Sequence, residues 1–153
     1  MLEDFDFLIG QWKVINNRLK NWMCDCNEWI QFESQHIEKK HSLGAGNFAV
    51  HQYVFNHALY ERSVLRKFND YYQFWEINRM DQMSSLALQS LKGTFWKNKG
   101  SFISRGLLNE QEVLIWAEWT KVNSNFAYWE QSVSNDNGTT WELNWIMDFK
   151  RMR

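Results

Sequence analysis

The side chains in this sequence best equipped for chemistry are four histidines, a few charged residues within apolar runs, and two cysteines. His36, His41, His51 and His57 are dispersed over separate extended segments and loops, without a His-x-x-x-His pair. That spacing builds no familiar metal site, so neither a metal nor another cofactor is expected. His51 alternates with Ala49 and Tyr53, which would turn its ring inward to donate to and accept from a ligand. The plainer reading is a satisfied wall or surface histidine. Arg62 and Arg66 alternate with Tyr60, Val64 and Phe68, Arg105 with Ile103 and Leu107, and Glu118 with Leu114 and Trp116; Glu130 also adjoins apolar sequence. An isolated buried charge is costly and tends to be paired or used, and an inward Arg would take a carboxylate in bidentate geometry. The competing reading for each is an outer-face salt bridge. Paired glutamates perform acid–base chemistry only at the separation the reaction requires, and no catalytic residue is assigned. Cys24 and Cys26 are one residue apart, which is awkward for a disulfide and too few thiols for zinc, so they read as free thiols in a connection.

Aromatic residues supply the other half of a binding site. The chain has ten Trp and eleven Phe but no Pro. Trp75, Trp116, Trp119, Trp129, Trp141 and Trp145 fall on several extended segments, too many to share one small interior. Some would line a pocket and others would cover the outer wall or a contact between copies. The candidate ligand-binding set is His51, Arg62, Trp75, Arg105, Trp116, Glu118 and Trp129.

The elements that must position these residues read as strands. Residues 11–19, 29–39, 48–55 and 60–68 are extended candidates, separated by a polar loop at 20–28, a glycine-containing breaker at 41–47 and a turn at 56–57. A turn at 69–70 leads to 72–77. Section 78–91, with Met80, Met83, Leu86 and Leu88, fits a short helix or an irregular strand. Residues 94–97, 101–107, 112–120 and 126–133 follow, with turns at 98–100 and 123–125. Residues 140–150 alternate most cleanly, placing Trp141, Leu143, Trp145, Met147 and Phe149 on one face. Glu142, Asn144 and Asp148 take the other, interrupted by Ile146. About eight to ten strands on short turns imply antiparallel pairing, and closure removes exposed edges. One domain over residues 1–153 is expected, an all-β antiparallel barrel with a short N-terminal helical turn.

Two motifs bear on this architecture. Gly10-Gln11-Trp12 follows a short apolar turn into the first strand, like the Gly-x-Trp feature of lipocalin and fatty-acid-binding barrels. Three runs widen the match: Phe5 through Trp12, Phe68 through Trp75, and Trp129 through Trp145. Together they resemble a family of small uncharacterised bacterial proteins with a lipocalin-like, calycin-type β-barrel. The resemblance spans nearly the whole chain and implies that Trp12 packs across the barrel base; it implies no activity. Ser134-Asn135-Asp136-Asn137-Gly138-Thr139-Thr140-Trp141 matches the Asp-box of propeller sialidases, where several copies are expected. A single copy in 153 residues reads as a pin for a β-hairpin, its polar side chains satisfying turn amides.

Net charge is −1, from 17 Lys and Arg against 18 Asp and Glu. No long-range field therefore favours nucleic acid or an anionic membrane. No segment approaches the roughly 20 apolar residues that cross a bilayer, and the acidic N-terminal run lacks the pattern of a secretory signal. A cytoplasmic location is expected. The leading functional reading is binding of a small apolar or amphipathic ligand in a barrel cavity. The alternatives are a small-molecule hydrolase or isomerase using an inward His/Glu/Arg cluster, and a structural module whose surface tryptophans join a homodimer.

Overall fold

The computed structural model describes residues 1–55, 57–80 and 86–153. Eleven strands occur among them: β1 (Gly10–Leu19), β2 (Trp29–Lys40), β3 (Gly46–Phe55), β4 (Ala58–Asn69), β5 (Phe74–Met80), β6 (Leu86–Leu88), β7 (Leu91–Trp96), β8 (Lys99–Leu108), β9 (Gln111–Lys121), β10 (Phe126–Ser134) and β11 (Glu142–Arg151). Period-two sequence makes them strands. In β1, for example, Trp12, Val14 and Asn16 are buried between exposed or half-buried neighbours, the pattern of a sheet with one face turned to a core.

Sequential strands pair antiparallel from β1 to β5, then β5 pairs with β7, and pairing continues from β7 through β11. Strand β11 returns to β1, with Trp12 opposite Arg151 and Arg18 opposite Trp145. Ten strands thus close a barrel, as expected from the sequence. The short β6 lies on the edge of β8 beyond the end of β7. Of the two forms weighed for section 78–91, the described part is extended: β5 runs on to Met80, and Leu86–Leu88 is a strand. Met83 and Asn56 lie outside the described residues. Tyr72, expected at the start of a strand, lies in a turn instead. The Asn69 side chain accepts from the Tyr72 amide at 3.0 Å, and Gln73 takes a left-handed conformation (φ 57°), so extended structure resumes only at Phe74.

One barrel end is closed by a 3-10 turn, Asp6–Leu8. Phe5 and Leu8 are fully buried, and Trp12 donates its indole N–H to the Leu8 carbonyl at 2.7 Å. Arg151 on β11 lies 4.2 Å from the centre of the Trp12 ring and donates to the carbonyls of Phe7 (2.8 Å) and Ile9 (2.6 Å). Trp12 therefore packs across the base, held on one side by the plug and on the other by a guanidinium.

Two face assignments differ from the sequence expectation. In β11, Trp145, Met147 and Phe149 face the core, but Leu143 is partly exposed and Asn144 is fully buried. The β10–β11 register shifts between Gln131 and Ser132, which pair with Trp145 and Leu143. The extra residue, Asn144, inverts the alternation on its N-terminal side. In β9 the buried residues are Val113, Ile115, Ala117 and Trp119, so Leu114, Trp116 and Glu118 lie on the outer face. The Ser134–Thr140 turn is pinned as expected. Asp136 accepts from the Ser134 hydroxyl (2.7 Å) and the Thr140 amide (2.9 Å), and Ser134 accepts from the Gly138 amide (2.9 Å). The bonds to Thr140, with that from Ser134, hold the Asp136 carboxyl down at about 2. Gly138 supplies a φ of +87° that an L side chain rarely adopts.

Candidate functional site

Inside the barrel, the inward faces of β2, β3, β4 and β5 carry a run of polar and charged residues. Strand register sets their heights. His36 on β2 lies opposite His51 on β3, which lies opposite Arg62 on β4. In the adjacent row, Glu38 lies opposite Ala49, Ala49 opposite Val64, and Val64 opposite Arg79. Ala49 and Val64 are small enough for the Glu38 carboxylate to pass over them to Arg66, whose guanidinium donates at 2.5 Å. The second carboxylate oxygen lies 2.7 Å from His36 Nε2, and His36 Nδ1 lies 3.2 Å from His51 Nδ1. All four groups are buried.

His36, His51 and Arg66 line a cavity of about 40 Å³ within the barrel. Its polar wall is formed by His36, His51, Arg62, Arg66 and Arg79. The apolar wall includes Val64, Ile77, Leu91, Trp119, Trp129 and Phe149. The volume suits roughly three water molecules or a ligand of a few non-hydrogen atoms. Aromatic side chains occupy much of the remaining interior. Trp119, Trp129 and Trp145 form a chain with ring centres 6.4 and 5.9 Å apart. Arg62 lies 4.6 Å from the centre of the Trp145 ring, and Arg66 lies 4.9 Å from that of Phe5. Flat, weakly hydrated guanidinium groups tolerate such stacking better than an ammonium would. Arg79 reaches across the barrel to Gln131 (2.9 Å), which donates to Asn144 (3.1 Å). The residue that makes the β11 bulge therefore also anchors the far wall.

Burial and charge set the protonation states. Burial lowers the pKa of His51 well below its ordinary value, and the neighbouring His36, Arg62 and Arg66 lower it further by disfavouring a second positive charge. His36 is also lowered, chiefly by burial, although its hydrogen bond to Glu38 works in the opposite direction. Burial pushes the Glu38 carboxyl up, yet the Arg66 charge and the His36 hydrogen bond together hold it below the usual carboxylate range. Both imidazoles are thus neutral beside an ionised carboxylate at neutral pH. Among the described residues, His51 Nε2 and Arg66 Nε, buried atoms of two cavity-lining side chains, have no hydrogen-bond partner.

The residues singled out from the sequence divide between this site and the outside. His51, Arg62 and Trp129 meet at the cavity. Trp75 is fully buried but packs beneath it, edge-on to Phe5 at 4.9 Å, with its N–H 3.3 Å from Asp4. Trp116 lies on the outer wall, 38% exposed, against Trp141, and donates to the Ser101 hydroxyl at 2.7 Å. Glu118 pairs on the outside with Lys99 at 2.9 Å. Arg105 is exposed beside Leu107 in a surface groove of about 690 Å³. These three point outward because both faces of β8 and β9 carry apolar residues, so alternation alone does not identify the inner face. Cys24 and Cys26 are free thiols in the 20–28 connection.

Glu38, Arg79 and Gln131 also belong to the interior but were not singled out from the sequence. A signal for Glu38 was present: Ser34, His36 and Glu38 follow one another at period two, which places all three on one face of a strand. Among the described residues, no group of three or more His, Cys, Asp or Glu is arranged to hold a metal ion. No helix among them is long and apolar enough to cross a membrane.

No protein-family model matches the sequence, and no curated protein matches it. A solved structure is nevertheless similar over almost its entire length: an S-type phycobiliprotein lyase, CPES, from Guillardia theta. The TM-score is 0.65 at 7% identity, covering 99% of this chain and 92% of that one. At such low identity the likeness concerns the fold alone, a lipocalin-like barrel. The sequence resemblance therefore holds at the level of the barrel and not of a particular bacterial family.

Proposed function

We propose that this barrel binds a small amphipathic organic acid. The carboxylate would lie toward Arg62, Arg66 and Arg79, and the apolar part against Trp119, Trp129 and Phe149. The observation that carries this reading is the division of one cavity into a guanidinium–imidazole wall and an aromatic wall. An anionic oxygen among guanidinium groups forms charge-assisted hydrogen bonds in a medium where they are strong. A wholly apolar occupant would leave the buried Arg66 Nε, which has no partner among the described residues, without a hydrogen bond, at a cost. The volume of about 40 Å³ favours acids of a few non-hydrogen atoms over fatty acids or tetrapyrroles. The phycobiliprotein lyase of similar fold lends the reading its architecture and not its activity.

Calorimetric titration with propionate and 1-propanol, which share an apolar body and differ in the head group, tests the proposal. Propionate should bind at least tenfold more tightly, and Arg62→Gln should remove most of that preference. Equal affinity for the alcohol, or no heat from either at millimolar concentration, would overturn it.

A further inference from the structure

The hydrogen-bond chain from Glu38 fixes which nitrogens of the two buried imidazoles carry protons. Arg66 donates to one oxygen of the Glu38 carboxylate. The other oxygen, 2.7 Å from His36 Nε2, can then only accept, so the proton of a neutral His36 sits on Nε2. His36 Nδ1 is left with a lone pair 3.2 Å from His51 Nδ1. That contact is a hydrogen bond only if His51 carries its proton on Nδ1. A neutral ring has one N–H, so His51 Nε2 is a bare acceptor. This nitrogen belongs to a cavity-lining residue that is 3% exposed, and no described residue donates to it. The other charged groups around the cavity are Arg62 and Arg66 on β4 and Arg79 on β5, which are all donors. His51 therefore offers an unpaired acceptor in a wall whose guanidinium groups can only donate.

We infer that Glu38, His36 and His51 act as a buried relay that makes the cavity select acids carrying a hydroxyl or similar donor beside the carboxylate, such as short 2-hydroxy acids. The inference rests on the acid-binding reading above and specifies its ligand class. The carboxylate meets the guanidinium groups while the neighbouring O–H donates to His51 Nε2. An acid without that donor leaves the nitrogen buried and unsatisfied, and sites built around such a group discriminate strongly against the analogue lacking it. Burial keeps both rings uncharged near neutral pH, which preserves the tautomer pair that the geometry requires.

Two measurements test this separately. Long-range 1H–15N spectra of the unliganded protein at pH 7 should show His36 protonated on Nε2 and His51 protonated on Nδ1. Calorimetry should give glycolate about a tenfold advantage over acetate, falling to about equal affinity in His51→Leu. A His51 proton on Nε2, or a doubly protonated ring, overturns the relay even if propionate still binds. Equal binding of glycolate and acetate to the native protein overturns the donor preference while leaving acid binding intact. Binding of neither acid overturns both readings together. If His51→Leu does not fold, the tautomers and the native glycolate-to-acetate ratio still decide.

Discussion

Glu38 has no exposed surface and relies on two donors, Arg66 and His36, for the compensation that water would otherwise give. Breaking such a pair is worse than replacing it, because the surviving ion stays buried. Glu38→Gln should therefore lower stability by about 3–5 kcal/mol in urea denaturation, whereas the double variant Glu38→Leu/Arg66→Met should recover most of that loss. The imidazoles give a second expectation. Both titrate below their ordinary value of 6.5 in the folded protein, so below that pH the unfolded chain binds more protons and stability falls. Glu38, also lowered, adds a further decline below its ordinary 4.5. Denaturation series from pH 8 to pH 4 should show the slope beginning near 6.5, and His51→Leu should flatten its upper part. At this scale the sequence was partly legible. Arg62, Arg66 and His51 were visible as polar residues on faces otherwise occupied by apolar ones. Their connection to His36 and Glu38 was not, because it depends on β2–β3 register and on the small Ala49 opposite Glu38.

Individual strands show where period two is a reliable guide and where it fails. In β4 one inward face combines Val64 with Arg62 and Arg66 while Glu61 and Leu65 are exposed; alternation grouped the three residues on one face without telling which way it turns. In β11 one bulged residue reversed the pattern, and no local feature distinguishes Asn144 from an ordinary outward asparagine. Close backbone approach is equally hard to infer. A Cβ at Gly93 on β7 would stand 1.8 Å from the Ser101 carbonyl oxygen on β8. Gly93→Ala should thus force the β7–β8 ladder apart and cost about 1–3 kcal/mol or more, measurable by thermal unfolding. The Ser134–Thr140 turn was legible because its side chains act locally. Asp136→Ala should speed amide exchange at Thr140 by about tenfold, while Asp136→Asn, which keeps an acceptor oxygen, should change it less; hydrogen exchange read residue by residue distinguishes them.

Across the whole molecule, closure joins the first strand to the last, and the plug seals one end beneath the charged cavity. Phe5 packs edge-on to Trp75, lies against Phe102, and sits under Arg66. Phe5→Ala should cost about 3–5 kcal/mol by denaturation, and it should open space for acids longer than propionate in the calorimetric series. The β1–β11 seam has a further consequence for biosynthesis. Every other barrel pairing joins segments close in sequence, but β1 gains its second neighbour only when β11 has been made. Any sheet that forms before β11 is available therefore has an open edge at β1, and unpaired strand edges are prone to aggregate. The edge is covered only as Arg151 emerges and clasps the carbonyls of Phe7 and Ile9. Until that clasp forms, the unpaired edge of β1 is where the sheet is most open to wrong pairing.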